Sequence, residues 1–214
     1  MKKTLKLTLL GLLLLWQGAG MAQNIEIIPS YGYQFGTKLN YGPNYLKAEG
    51  SDEFGISLAF EMNPGLMAGI AYRHHGTDLL IRDRVLSPTQ DRLSDLAMDW
   101  ILLEGTRYFR DDKVKPFAGA GLGVVIISPS NENRAIISNN LSSSTKLAFS
   151  FKAGVNIMFT DRVGLNLQGN LFFPVQYGGF FIAGGTGGVS SGASVSTTTI
   201  IGGFSGGLVF MLGN

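Results

Sequence analysis

The chain has 214 residues, a formal net charge of +2, 15% charged residues and 30 glycines. So low a charged fraction, against roughly 25% in soluble domains, is typical of a membrane β-barrel wall, and the small net charge gives no reason to expect a nucleic-acid partner. Cysteine is absent, which excludes disulfides, thiol chemistry and a lipidated cysteine anchor.

The first predicted element is a secretory signal peptide over residues 1–22. Three lysines precede an apolar run from Leu7 to Trp16, and small residues lead to Ala22. The apolar run is shorter than the roughly 20 residues that a membrane-spanning helix needs. Residues 23–214 are therefore predicted to form the mature protein, which keeps 14 basic and 15 acidic residues and a formal charge of −1.

Eight segments of the mature chain alternate bulky apolar residues with small or polar ones, as β-strands do. The clearest are 54–62, which begins Phe54-Gly55-Ile56-Ser57, and 147–159. The other six are 24–38, 66–75, 95–109, 115–127, 163–173 and 197–212. No mature segment is a continuous apolar stretch of the length that a spanning helix requires. The pattern predicts an all-β fold, a single closed antiparallel up-and-down transmembrane β-barrel of about eight strands.

A soluble sandwich or lipocalin-like barrel is the alternative, because its strands also alternate. In that case the bulky row would point inward and the opposite row would carry charge. The row opposite the bulky one is too poor in lysine and glutamate for a solvent-facing surface, so the bulky row is predicted to face lipid. Within 95–109, the consecutive apolar residues Trp100 to Leu103 predict a bulge or an irregular register.

The connections between the segments alternate in length. Residues 63–65, 110–113 and 160–162 are short turns, and the long connections are 39–51, 76–94, 128–144 and 174–196. Outer-membrane barrels have short periplasmic turns and longer extracellular loops. Both chain ends are therefore predicted to lie in the periplasm of a Gram-negative cell, with the barrel in the outer membrane.

The chain resembles the outer-membrane β-barrel domain family, the small barrels of the OmpA and OmpX type. The resemblance is carried by residues 104–109 (EGTRYF), by 115–123 (KPFAGAGLG), and by the hairpin over 151–167. These motifs specify a fold rather than an activity. The resemblance implies contact with outer-membrane lipid and lipopolysaccharide, and insertion by the barrel-assembly machinery.

Charged residues within the strands are the first candidates for a functional cluster, because a charge facing lipid is costly. We expect them to point mainly into the lumen, where opposite charges pair in a polar plug, as the resemblance to small barrels implies. The alternative is a narrow ion or solute path lined by the same groups. The predicted lumen cluster consists of Glu53, Glu61, Arg73, Asp99, Glu104, Arg107 and Lys152.

Two patterns that elsewhere indicate chemistry are better explained by structure. Residues 203–207 fit the G-x-S-x-G pattern of serine hydrolases, yet Ser205 lies within an alternating strand and not on a strand-to-helix turn. His74 and His75 are adjacent, so in a strand they point to opposite faces and cannot jointly bind one metal ion. We predict no catalytic, cofactor-binding or metal-binding residues.

The sequence thus favours a non-enzymatic outer-membrane protein with a structural or interaction role, in which extracellular loops contact a partner. A protein partner could lie outside the cell or in the periplasm. The remaining alternatives are a narrow channel for ions or small solutes, and a lipid-modifying enzyme that uses a histidine base and a serine nucleophile.

Overall fold

The computed structural model describes residues 24–110, 112–137, 140–175, 182–185, 188–191 and 199–213, with the backbone alone for 182–185 and 188–191. The predicted signal peptide lies outside the described residues and stays a prediction. Among the described residues, no helix is long and apolar enough to cross a membrane.

Eight long strands form the wall of the molecule, and four short ones lie in its connections. The wall strands are β1 (Ile25–Gln34), β4 (Ser51–Asn63), β5 (Leu66–Asp83), β6 (Ser87–Tyr108), β7 (Val114–Ser130), β8 (Ser144–Met158), β9 (Val163–Pro174) and β12 (Ile201–Leu212). The short strands are β2 (Thr37–Tyr41), β3 (Asn44–Ala48), β10 (Ile182–Gly185) and β11 (Gly188–Ser191).

The wall closes into a barrel because its first and last strands pair. Each wall strand runs antiparallel to its neighbours in chain order, and β1 pairs with β12 from Ile25 opposite Leu212 to Gln34 opposite Gly203. Closure leaves no unpaired edge between the eight wall strands, which is the condition for a β-sheet to lie in lipid. The predicted closed antiparallel barrel of eight strands is confirmed.

The short predicted turns are confirmed at one end of the barrel. Gly65 has a positive φ of 71°, which glycine adopts without strain, and it closes the turn between β4 and β5. The other two turns join β6 to β7 and β8 to β9. Following the rule that short turns face the periplasm, we call this the periplasmic end and the opposite end the extracellular end.

The extracellular connections contain more strand than the sequence predicted. Residues 76–94, predicted as a loop, continue β5 and β6 to a turn of three residues, 84–86. The connection 39–51 holds the hairpin of β2 and β3, whose second strand pairs with β5 from Tyr45 opposite Arg82 to Ala48 opposite Leu79. The loop prediction was wrong here because Ile81 and Leu93 are buried beyond the main barrel and keep the strands in place.

The predicted irregularity in 95–109 is also wrong. β6 pairs without interruption with β7 from Asp95 to Tyr108, and with β5 from Ser94 to Arg107. Trp100 and Leu102 are fully buried while Ile101 and Leu103 are exposed on the outside, so the four residues alternate regularly. In the sequence these four residues form a continuous apolar run because the two inward residues are apolar, as the two outward residues are. The register shifts lie elsewhere. One is in the pairing of β4 with β5, between Glu61 and Asn63, and the others are in the pairing of β5 with β6, beyond Leu79.

Candidate functional site

The outer surface of the barrel is a belt of large apolar side chains. On β4, Phe54 and Ile56 are 52% and 49% exposed, and on β6 Leu103 is 69% exposed. Exposed apolar surface on this scale is costly in water and favourable in hydrocarbon. Further members are Phe60, Ile70, Leu122, Phe149, Phe151, Leu167, Leu171, Phe204 and Leu208. The bulky row therefore faces outward, as predicted.

The periplasmic end of the lumen is filled by a chain of hydrogen bonds. The Tyr108 hydroxyl donates to Glu26 Oε2 at 2.6 Å, and Asn156 Nδ2 donates to the Tyr108 oxygen at 2.8 Å. Asn166 Nδ2 continues the chain to Asn156 Oδ1 at 2.7 Å. Four strands contribute these side chains, so the network joins opposite parts of the wall.

Two buried ion pairs lie in the lumen on the extracellular side of this network, and each joins strands that are neighbours or next neighbours in the wall. Arg73 Nη1 lies 3.0 Å from Glu53 Oε1, with both side chains almost fully buried, and Gln34 Nε2 donates to the other carboxylate oxygen at 2.5 Å. Lys152 Nζ lies 2.6 Å from Glu104 Oε2. Charges that are paired and hydrogen-bonded in this way can be buried, whereas single charges cannot.

Glycine on β7 makes room for the second of these pairs. A Cβ at Gly119 would lie 2.9 Å from Lys152 Cε, and one at Gly121 would lie 3.1 Å from Glu104 Cγ. Both distances are too short for ordinary contact, so only glycine leaves space for the two long side chains in this narrow barrel. Two glycines of the segment 115–123, Gly119 and Gly121, thus lie against the ion pair.

Ser205 is one of the polar side chains that fill the lumen. Its hydroxyl oxygen accepts hydrogen bonds from Gln168 Nε2 at 3.2 Å and from Asn170 Nδ2 at 3.0 Å. The residue lies within β12 and is 4% exposed. These contacts fit the predicted role of a small lumen residue and give Ser205 a structural function.

The extracellular half of the lumen holds an apolar cluster beside the Arg73–Glu53 pair. Trp100 and Phe172 pack with a ring-centroid distance of 4.8 Å, and the Arg73 guanidinium lies 6.0 Å from the Phe172 ring. Trp100 Nε1 and Arg73 Nε are buried without a hydrogen-bond partner among the described residues. The cluster, which we call the apolar layer, consists of Met98, Trp100, Leu102, Val125, Ala148, Phe172 and Ile201.

A cavity of about 150 Å³ lies on the extracellular side of the apolar layer. Met98 and Ile201 connect its wall to the layer beneath. Lys146 is the one charged residue among the described residues that line the cavity. The remaining lining residues are Thr37, Leu39, Leu46, Ala48, Leu79, Leu93, Leu96, Ile127, Pro129, Leu141, Pro174 and Thr199.

A second apolar cluster lies around this cavity, beyond the main barrel. Ile81 and Leu93 from the extended hairpin of β5 and β6 are fully buried against Ile137, which follows β7. Leu46, Leu79 and Leu141 pack against the same cluster and also line the cavity. The extracellular hairpins thus fold over the lumen and do not extend freely into solvent.

A different cavity opens at the periplasmic end. It measures about 260 Å³ and is lined by Glu26, Glu61, Tyr108 and Lys115, among others. Glu61 accepts a hydrogen bond from Asn24 Nδ2 at 2.5 Å. The two ends of the lumen therefore hold cavities of opposite character, one polar and one apolar, separated by the ion pairs and the apolar layer.

The structure separates the seven residues of the predicted lumen cluster. Five point inward: Glu53 with Arg73, Glu104 with Lys152, and Glu61 near the periplasmic end. Asp99 and Arg107 lie on the outward row of β6, where every second residue faces away from the lumen, so a lumenal position was wrong for these two. The seven do not form a single cluster.

The two outward charges are stabilised locally. Asp99 accepts a hydrogen bond of 2.7 Å from the Tyr72 hydroxyl and lies 2.7 Å from His74 Nδ1. Arg107 Nη1 donates to the Pro64 carbonyl at 3.2 Å, in the periplasmic turn. His75 points the other way and is buried, so the two histidines face opposite sides, and no group of three potential metal ligands occurs among the described residues.

Sequence reasoning missed the apolar layer and its cavity. The signal was present in Trp100 and Leu102, the inward half of the consecutive apolar run. It was read as an irregularity because the inward row of a membrane barrel is expected to be polar. A barrel that carries an apolar cluster on one side of its lumen breaks that expectation.

Comparison with known proteins gives structural matches alone. No family model and no curated protein sequence matches the chain. The outer membrane protein OprG from Pseudomonas aeruginosa is similar with a TM-score of 0.65 and 7% identity, covering 90% of this chain and 97% of that one. Neisserial surface protein A is similar with a TM-score of 0.54 and 14% identity, covering 89% and 97%.

These likenesses agree with the closed wall and the apolar outer belt. The resemblance to small outer-membrane barrels is supported at the level of fold, and the fold together with the belt supports the predicted location in an outer membrane. The chain has the fold of the small outer-membrane β-barrel proteins.

Proposed function

We propose that this chain is a non-enzymatic outer-membrane barrel that binds small apolar molecules at its extracellular end. The observation that carries the proposal is the apolar cavity above Met98 and Ile201. Ligand sites are typically concave and mostly apolar, with few polar groups. At the level of Arg73 and Glu53 the apolar layer takes up the opposite side of the lumen, which disfavours a passage for ions.

The lower lumen supports binding over open conduction. The buried Arg73–Glu53 pair and the Lys152–Glu104 pair occupy the centre of an eight-stranded barrel, in which side chains just fill the interior. An ion would have to displace both pairs and then cross an apolar layer. We therefore expect no discrete single-channel openings in planar bilayers, and regular openings would contradict this part of the proposal.

The extracellular hairpins support an interaction role. They place Leu46, Leu79 and Leu141 around the cavity and so complete a site that the barrel wall alone would leave open. The proposal thus agrees with the role predicted from the sequence, in which extracellular segments contact a partner, and it names a small molecule as that partner.

The binding of a neutral apolar fluorophore, N-phenyl-1-naphthylamine, tests the proposal in lipid nanodiscs. We expect a saturable component above simple partition into lipid. Ala48→Phe should abolish that component by filling the cavity, since Ala48 lines it and is buried. Ala68→Phe is the matched control, because Ala68 lies on the lipid-facing row of β5. Equal binding by both variants and the original chain would refute the site.

Closure of the barrel is tested on a gel. A hydrogen-bonded closed barrel resists unfolding, so an unboiled sample in detergent should migrate differently from a boiled one. The same assay shows whether Ala48→Phe and Ala68→Phe are folded before their ligand binding is compared. Identical mobility of boiled and unboiled samples would contradict closure.

A further inference from the structure

Lys146 stands out in the extracellular cavity because its other described lining residues are apolar or threonine. It lies on the inward row of β8, two residues before the fully buried Ala148, and it is half-buried. A lysine can lay its four methylenes along an apolar wall while its ammonium group stays partly hydrated. The cavity is thus an apolar volume with a cation on its wall.

We propose that the preferred ligand of this cavity is a small amphipathic monoanion, a carboxylate on a short apolar chain or a single ring. The carboxylate would meet Lys146 and the apolar body would occupy the space above Met98 and Ile201. This inference rests on the proposed function and names the ligand class of the same site.

Charge complementarity supports an anionic head group. No acidic side chain lines the cavity among the described residues. The inward carboxylates Glu53 and Glu104 have their own cations in Arg73 and Lys152. Lys146 has interactions of its own within the protein, and an ammonium group offers three donors, so a ligand carboxylate can share it. A cationic ligand would be repelled at the same point.

The size of the cavity supports a short body. At about 150 Å³ the cavity equals an engineered apolar cavity that accepts benzene. A chain of about six carbons or one aromatic ring therefore fits this volume. Because Lys146 is half-buried, the head group can stay near the cavity mouth and keep part of its hydration, which limits the cost of burying charge.

Quenching of Trp100 fluorescence measures the preference directly. The chain has two tryptophans, and Trp16 lies in the predicted signal peptide, so the mature protein carries Trp100 alone, which packs in the layer next to the cavity. Bromine quenches tryptophan on close approach. The probes are 6-bromohexanoate, 6-bromohexan-1-ol and 6-bromohexylamine, which share a chain length and differ in head group. Each is titrated into protein in nanodiscs of zwitterionic lipid.

We expect 6-bromohexanoate to bind about tenfold more tightly than the alcohol, and the ammonium probe to bind most weakly. Partition into lipid favours the neutral alcohol, so membrane accumulation cannot produce this order. Lys146→Met keeps the length of the side chain and should remove the preference for the carboxylate. Lys38→Met is the matched control, since Lys38 also lies at the extracellular end but does not line the cavity.

Salt gives a test that needs no variant. Raising the ionic strength should weaken binding of the carboxylate and leave binding of the alcohol unchanged, because screening acts on charge pairs that water can reach. If Lys146→Met fails the gel test of folding, Lys146→Arg and the salt titration carry the test, and Lys146→Arg should keep the preference.

The experiments distinguish failure of the proposed ligand class from failure of the proposed function. Equal binding of acid and alcohol, or an unchanged preference in Lys146→Met, would overturn the ligand class while the neutral fluorophore still binds and the proposed function stands. Absence of saturable binding by every probe, including the neutral fluorophore, would overturn the proposed function itself.

Discussion

The two halves of the lumen solve the same packing problem with different chemistry. The periplasmic half fills its space with hydrogen bonds and ion pairs, such as Tyr108 with Glu26 and Lys152 with Glu104. The extracellular half fills it with apolar side chains around Trp100 and Phe172, and then leaves a cavity. The difference shows that a narrow barrel can be closed by polar groups at one level and offer an apolar site at another.

The largest expected effect is on the buried ion pair of Arg73 and Glu53, which lies beside the apolar layer. Arg73→Met leaves the Glu53 carboxylate buried without its cation and should lower the free energy of unfolding by about 3–5 kcal/mol. Urea unfolding in lipid vesicles measures it. The double variant Arg73→Met with Glu53→Gln should recover most of the loss, because no uncompensated charge remains. A single variant as stable as the original chain would contradict a buried ion pair.

The next effect contrasts the inward and outward rows of the apolar half. Leu102→Ala removes a fully buried side chain and should cost about 2–5 kcal/mol, because a cavity remains. Leu103 is the next residue and faces lipid. Leu103→Ala should lower the free energy of unfolding by roughly 2 kcal/mol or less, since lipid fills the vacated space and only the favourable transfer of the side chain from water to lipid is lost. Urea unfolding compares the two, and equal costs would contradict the assigned faces of β6.

Ser205→Ala should have a smaller effect, of about 1–3 kcal/mol, because Gln168 and Asn170 lose a shared acceptor. Thermal conversion of the folded band on a gel gives the measurement. A fluorophosphonate probe should leave Ser205 unlabelled, since the hydroxyl is buried and hydrogen-bonded. Labelling at Ser205 would instead favour the serine-enzyme alternative.

The smallest effect concerns the hairpin of β2 and β3 at the extracellular end. Burial, together with the Asp83 carboxylate, raises the pKa of Tyr41 above its ordinary value. Above pH of about 10 the unfolded hairpin releases a proton that the folded one retains, so hairpin stability falls as pH rises through that range. Cleavage of the hairpin by an alkaline protease should accelerate there, but not in Tyr41→Phe. The same acceleration in both chains would exclude Tyr41 as its cause.

Much of the fold could be predicted from local pattern. Period-two alternation located all eight wall strands, and residues such as Pro64 and Gly65 marked the short turns. The extracellular ends were harder, because the strands of 76–94 are held by contacts with Ile137, which is remote in sequence. For the site, pattern identified Glu53, Arg73, Glu104 and Lys152 as strand charges but could not assign their partners.

Asp99 and Arg107 show the limit of a rule applied residue by residue. A charge in a membrane strand usually points inward, but these two lie on the outward row that Ile101 and Leu103 also occupy. The parity of the whole strand outweighs the preference of one residue, since a shift by one position would expose Trp100 and Leu102 with every other inward side chain. Local partners, Tyr72 for Asp99 and Pro64 for Arg107, then satisfy the charges.

The sequence by itself determined the alternation, the order of strands and turns, and the apolar outer row, because these depend on neighbours along one strand. The tertiary structure alone decided which charges pair between strands inside the lumen, and that the inward row turns apolar around Trp100. It also formed the cavity beside Lys146. Those features arise where the curved wall brings residues of different strands to the same height along the barrel axis. The spacing of residues within a single strand does not determine which residues meet there.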